Sequence, residues 1–332
     1  MVAAVATDVR LPARDGFELA ATRFDPATEA AGEQRGVVLV VPATGVARRL
    51  YQGFAAFLAG EGFRVVTWDW RGTGGSRPAS LRGFRATMMD WATVDFGGVL
   101  DWARANGGGR PLLAVGHSFG GQALGLLAGA EAPRGGDGDG ASPWRSFAGA
   151  VTVAAQSGYW RHWPWPQRYR YAAVWHLVVP IFTALYGYFP SPLFRFGEEL
   201  PAGVARQWAR WCRSPEFLGD WSGHARFAAP LLALSFADDA YAPPLAVAAL
   251  HRHYTAARLE TRHVRPQDAG VARIGHFGFF KPGLPALWRD VSAWLAAAAT
   301  AANAGGGERL GVQSAPAQPV SGLVEEIAQR PQ

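Results

Sequence analysis

Apolar positions along the chain fall into short continuous runs, separated by longer stretches with helical spacing. Gly36-Val37-Val38-Leu39-Val40-Val41, ending at Pro42, is β-branched and does not alternate, which predicts a strand buried on both faces of a parallel sheet. Phe63 to Trp68, Pro111 to Val115, Phe147 to Ala154, Leu231 to Phe236 and Leu259 to Val264 read as further strands. Phe17 to Phe24 alternates after the turn at Asp15-Gly16 and reads as a half-exposed first strand. Helices are predicted from Leu50 to the stop at Gly60-Glu61-Gly62, and over Asp90 to Ala105, Phe119 to Ala130, Pro243 to His253 and Leu284 to Ala298. Strand and helix alternate, so the crossovers are right-handed and the sheet is mostly parallel, with helices on both faces, an α/β fold.

One stretch breaks this rhythm. Between residues 156 and 227, Trp160, Trp163, Trp165, Trp175, Trp208, Trp211 and Trp221 crowd into a helical region interrupted by prolines, which reads as an inserted cap. The core is then residues 10–155 and 228–298. Ala27 to Arg35 and Gly135 to Gly140 read as loops, and 299–332, poor in large apolar side chains, as a disordered tail in which Val320 to Ala328 offers a short helix.

Composition narrows the classes. With 49% hydrophobic and 17% charged residues among 332, the chain is too apolar to stay unfolded. A single cysteine, Cys212, excludes an internal disulfide and any cysteine-built zinc site, and suits a cytoplasmic compartment. Asp8, Arg10, Arg14 and Asp15 interrupt the N-terminal segment, which does not read as a signal peptide. His176, Pro180 and Gly187 lie in or near the end of the longest apolar stretch, Ala172 to Phe189, which argues against a spanning helix and leaves peripheral lipid contact open. The net charge of +6 comes from scattered arginines, with Lys281 the only lysine, so no nucleic-acid-binding patch is expected.

The strongest chemical signal is Gly116-His117-Ser118-Phe119-Gly120-Gly121, a G-x-S-x-G sequence between a predicted strand and a helix of small residues. In that setting the glycines permit the tight turn that exposes a nucleophilic serine. His117 is adjacent to Ser118, and neighbouring side chains diverge at such a turn, so it is expected to pack or contact a helix. A serine hydroxyl needs an imidazole to take its proton and a carboxylate to hold that imidazole. Asp238 and Asp239 both follow the Leu231–Phe236 strand. Asp239 is preferred for its spacing to Pro243, with Asp238 the alternative, and whichever is not catalytic is expected to cap the following helix. His276 lies between the last strand and the last helix, where the base belongs. The backbone N–H of Phe119 is one expected oxyanion donor, and Thr44, with Ala43 second, the other. The turn Arg71-Gly72-Thr73-Gly74-Gly75-Ser76 has neither the Walker lysine nor dinucleotide spacing, so no nucleotide cofactor is expected, nor any metal.

This order of strand, elbow, cap, acid and histidine resembles the α/β-hydrolase fold, in the branch that holds serine aminopeptidase-like and monoacylglycerol lipase-like enzymes. The segments Pro42-Ala43-Thr44-Gly45-Val46, Gly116 to Gln122, Gly197 to Pro201 with Gln207 to Cys212, and Gly275 to Phe280 resemble a group of bacterial α/β-hydrolases, and the similarity runs from about residue 10 to residue 298. The resemblance implies hydrolysis without cofactor or metal and carries the triad onto Ser118, Asp239 and His276. Pro42-Ala43 stands where many relatives of the wider fold have His-Gly. The aromatic cap implies a small apolar substrate. Glu198 and Glu199 are either an amine site, as an aminopeptidase needs, or partners of cap arginines, and the second is preferred. The expected activity is that of a serine esterase, with peptidase, amidase, thioesterase and acyltransferase chemistry, or an apolar-ligand binding protein, as alternatives.

Overall fold

The computed structural model describes residues 4–26, 34–130, 147–194 and 197–305. Six strands form the parallel centre of an eight-stranded sheet: β3 (Gly36–Val41), β4 (Phe63–Trp68), β5 (Leu112–His117), β6 (Phe147–Val153), β9 (Leu231–Phe236) and β10 (Leu259–Val264). Two antiparallel strands, β1 (Val5–Pro12) and β2 (Glu18–Asp25), complete the order β1-β2-β4-β3-β5-β6-β9-β10. A two-stranded ribbon, β7 (Tyr188–Phe189) with β8 (Leu200–Pro201), stands apart from it.

β3 shows why its run is apolar throughout. Val37, Leu39 and Val41 join the core on one face of the sheet, while Val38 and Val40 join the core on the other. The helices α2 (Phe96–Asn106) and α3 (Phe119–Ala130) cover the first face, and α1 (Gln52–Gly60) and α9 (Pro285–Gly305) the second. β1 was not legible as a strand, because six of its eight residues face solvent; its register comes from pairing with β2. The helix expected from Asp90 opens with a wider, π-type turn over Asp90–Asp95 before α2 begins. The last helix runs to Gly305, beyond the expected end at Ala298, with Ala299 buried against the core. The loop at Gly135 to Gly140 and the short helix at Val320 to Ala328 lie outside the described residues.

Between β6 and β9 the chain forms α4 (Gln167–Ala173), α5 (Val179–Tyr186), the β7–β8 ribbon, α6 (Ala202–Arg213) and α7 (Ser222–Arg226). Its aromatic side chains divide. Trp175 and Trp208 meet at 4.7 Å, Trp211 packs near Phe217, and Trp165 is exposed. Glu198 and Glu199 do pair with arginines, but with Arg49 and Arg77 of the core rather than with those of the insert. Glu198 also accepts from the Gly74 N–H (2.6 Å), and Asp69 from the Gly75 N–H (2.8 Å), so carboxylates already take the amides of the glycine-rich turn. Arg71 joins Asp15 to Asp95, a fully buried carboxylate.

Three buried histidines set an acid limit on the fold. Desolvation holds His117 well below its ordinary value, with His276 adding to the effect, and pushes His224 and His251 down to about 3 and about 4. Unfolded, each titrates near about 6.5. The unfolded chain therefore binds protons that the fold excludes, and stability falls as pH drops from about 6.5 towards 4, by roughly 1.4 kcal/mol per pH unit for each histidine that stays neutral. Urea midpoints measured from pH 8 to pH 4.5 should be flat above 7 and decline steeply below 6; a level profile would contradict this assignment.

Candidate active site

The site stands at the carboxyl edge of the parallel strands, where open α/β sheets place their ligands. Ser118 sits between β5 and α3 at φ 51°, a left-handed conformation that costs a non-glycine residue on the order of 1–3 kcal/mol. The surrounding structure holds it there: its N–H donates to Val153 (2.9 Å), and its carbonyl accepts from Gly121 N–H (3.0 Å). Gly120 is needed for the same turn, since a Cβ on it would fall 2.1 Å from the Val41 carbonyl oxygen.

The two aspartates after β9 have different tasks. Asp239 is buried, and its Oδ2 accepts a 2.8 Å hydrogen bond from Nδ1 of His276. Its Oδ1 accepts from the N–H groups of Tyr241 (2.8 Å) and Ala242 (3.1 Å). A carboxylate on Nδ1 fixes the tautomer that leaves Nε2 of His276 with a free lone pair. Asp238 does not cap the helix after Pro243, contrary to expectation. Its oxygens accept from the Ile274 and Gly275 N–H groups, both at 2.9 Å, and so hold the loop that carries His276. Adjacent residues thus orient the imidazole, one through its ring and one through its backbone.

His117 reaches further than packing. Its ring is fully buried, with Nε2 at 2.9 Å from the His276 carbonyl oxygen and Nδ1 at 3.0 Å from the Tyr51 hydroxyl. The carbonyl requires Nε2 to donate, so Nδ1 accepts from Tyr51, whose hydroxyl oxygen in turn accepts from the Ala43 N–H (2.9 Å). A single chain of hydrogen bonds therefore joins the loop after β3, the turn before α1, the elbow and the histidine loop. It also engages the amide of Ala43. Among the described residues no group takes the Thr44 N–H, and Thr44 lines the cavity. The Phe119 amide lies in the first turn of α3, where N–H groups have no partner within the helix.

A cavity of about 460 Å³ opens on these groups, with Ser118, His276, Thr44 and Phe119 all in its wall. Trp163, Val174, Trp175, Phe189, Trp208 and Tyr241 supply much of the remainder. Gln156, which follows β6, was not singled out from the sequence. Its Oε1 receives the Ser118 hydroxyl at 3.5 Å while its Nε2 donates to the Tyr241 carbonyl (3.2 Å), and Gln122 donates to its backbone carbonyl (2.7 Å). The available signal was topological: β6 neighbours β5, so the residue after β6 must lie beside the elbow. Among the described residues no group of three or more His, Cys, Asp or Glu side chains is placed to hold a metal ion.

Sheet order and elbow give the chain the α/β-hydrolase fold. The family model described as serine aminopeptidase, S33, matches residues 32–177, a span that includes Ser118 and ends before Asp239 and His276. The chain is similar to the monoacylglycerol lipase of Paleococcus ferrophilus at 16% identity and a TM-score of 0.57, covering 85% of this chain and 99% of the lipase. An esterase from Exiguobacterium antarcticum (14% identity, TM-score 0.56) and a thermophilic esterase from Thermogutta terrifontis (18%, 0.54) align over 87% and 88% of this chain and 99% of their own. No curated protein sequence matches the chain. The resemblance read from the four sequence segments, to the serine aminopeptidase-like and monoacylglycerol lipase-like branch, agrees with both comparisons.

Replacing Tyr51 by Phe removes the hydroxyl and leaves the Ala43 N–H and His117 Nδ1 without it. The expected cost is about 1–3 kcal/mol for each buried group left unsatisfied. Urea denaturation reads that loss, and a variant as stable as wild type would show that the relay carries no energy.

Proposed function

We propose that this chain is a serine hydrolase of carboxylic esters, working through an acyl-enzyme on Ser118. The observation that carries the reading is the 2.8 Å bond from His276 Nδ1 to the buried Asp239, with His276 and Ser118 in the wall of one cavity. In the reaction the Ser118 hydroxyl leaves Gln156 and gives its proton to His276 Nε2 as Oγ attacks the ester carbonyl. The oxyanion forms against the amides of Phe119 and Thr44, at the positive end of α3. Collapse expels the alcohol, which takes the proton back from His276. Water, deprotonated by the same imidazole, then releases the acid and restores Ser118.

The cavity wall favours an ester over an aminopeptidase substrate. Among the described residues no carboxylate lines it to receive a free amine, and Glu198 and Glu199 are held by Arg49 and Arg77. The indoles and phenyl rings suit an apolar acyl or aromatic group. The insert over the site is its cap, residues 156–227, and the single buried thiol of Cys212 suits work in the cytoplasm.

A fluorophosphonate probe should label the wild type and spare Ser118→Ala, and Asp239→Asn should lower ester turnover by about 10⁴-fold through loss of the correct tautomer. A protein that only binds its ligand would ignore the probe. Across 4-nitrophenyl esters of rising chain length and aminoacyl anilides, hydrolysis should be confined to the esters; preference for the anilides would overturn the ester assignment.

A second reading concerns the cap's outer surface. Leu177, Ile181 and Leu185, spaced at i, i+4 and i+8, are 59%, 50% and 67% exposed, and Trp165 is 69% exposed. The segment 157–197 contains no aspartate or glutamate. Apolar and basic together, this face suits peripheral contact with an anionic lipid surface, while no helix among the described residues is long and apolar enough to cross a membrane. The protein should float with phosphatidylglycerol vesicles more than with phosphatidylcholine ones, and Leu177→Glu with Leu185→Glu should abolish it; flotation unchanged by that pair would rule the face out.

A further inference from the structure

Among the described residues, the wall of the active-site cavity contains two guanidinium groups, Arg170 and Arg273, and no carboxylate. Among the described residues neither guanidinium has a hydrogen-bond or ion-pair partner. Nearby basic residues are otherwise engaged: Arg161 lies over Trp160, Arg168 over Tyr169, and Arg206 donates to Thr183.

Each cavity arginine is followed in sequence by a residue bonded to one short loop, residues 238–241. Arg170 is on α4, where the next residue, Tyr171, donates its hydroxyl to the Ala240 carbonyl (3.4 Å) and stacks at 4.5 Å on Trp163, which donates to the same carbonyl (2.9 Å). Arg273 immediately precedes the two amides that Asp238 holds, three residues before His276. The loop's own carboxylates are used: Asp239 by His276 and two amides, Asp238 by two others. Two positive side chains, one from the segment between β6 and β9 and one from the loop that carries His276, thus line the cavity that also holds Ser118. Elsewhere the cavity wall is apolar at Val174, Trp175, Phe189 and Trp208.

We infer that the substrate is an amphiphilic ester bearing an anionic group, a carboxylate or a phosphate, which Arg170 and Arg273 receive while its apolar portion enters the aromatic end. The inference rests on the reading of the site as an esterase and names the substrate class of that site. Uncompensated positive charge beside low-dielectric walls concentrates anions, and charge-assisted bonds to guanidinium are roughly twice as strong as neutral ones. A neutral ester gains neither. Because both arginines are solvent-exposed, the preference is screened by salt.

The test compares mono(4-nitrophenyl) glutarate with 4-nitrophenyl pentanoate, which shares its acyl length without the charge. The wild type should favour the anionic ester in kcat/KM by about tenfold at low ionic strength, with the ratio falling in 0.5 M salt. Arg170→Gln and Arg273→Gln should each lower that ratio several-fold, and the double variant should bring it near one; as a ratio, it cancels any loss common to both esters. A ratio at or below one in the wild type, or one that survives the double variant, overturns the inference. A second readout needs no turnover. In Ser118→Ala, tryptophan fluorescence should report tighter binding of hexanoate or hexyl phosphate than of hexanol, and the tighter of the two anions identifies the group. Equal binding of all three overturns the inference. If neither ester is cleaved yet the anions bind selectively, the esterase reading fails and the anion site stands.

Discussion

The hydrogen-bond chain through His117 is the constraint on which the site depends. Its members lie on different segments, Ala43 and Tyr51 eight residues apart and His117 and His276 far beyond them, and each would pack on its own in several ways. One neutral imidazole, accepting from Tyr51 and donating to the His276 carbonyl, admits only one arrangement of all of them. Its burial is what keeps it neutral, and its neutrality is what gives it one donor and one acceptor to place. Protonation would turn both nitrogens into donors, and the Tyr51 hydroxyl would have to turn away from Ala43 or lose its partner.

Around that point, backbone geometry and side-chain chemistry support each other. Ser118 keeps its left-handed conformation because Val153 and Gly121 bind its peptide groups, and because Gly120 lets α3 approach β3 closely. The aspartate pair shows the same economy of means, with one residue holding the loop that presents the ring its neighbour orients. Aromatic packing supplies the floor: Trp70 and Trp91 stack at 5.6 Å, and Phe119 meets both rings.

How much of this was legible in the sequence follows from which forces act locally. The central strands were plain, because a segment buried on both faces is apolar along most of its length, as β3 is throughout and β5 and β9 are but for His117 and Ser235. The elbow was plain too, since its glycines answer a local steric demand. β1 left no mark, because pairing through backbone groups at an edge asks little of its side chains. Spacing to Pro243 favoured Asp239 but left Asp238 open, for both lie in one turn and differ in which amides or rings they face. The choice between Ala43 and Thr44 depended on a tyrosine hydroxyl whose position only the tertiary structure reveals. Gln156 and the core partners of Glu198 and Glu199 were hidden for the same reason: their contacts join segments far apart in the chain.

The attachment of Glu198 carries a mechanical consequence. Its backbone N–H holds the Gly45 carbonyl (2.8 Å) while its carboxylate holds the Gly74 amide and Arg49. Gly45 directly follows Thr44, so the root of the ribbon is riveted to the turn on which an oxyanion would rest. Lifting the roof from this side would drag that turn out of register. The segment around α4 is tied as well, through Trp163 and Tyr171 to the Ala240 carbonyl, so both ends of this region move only with a loop of the site.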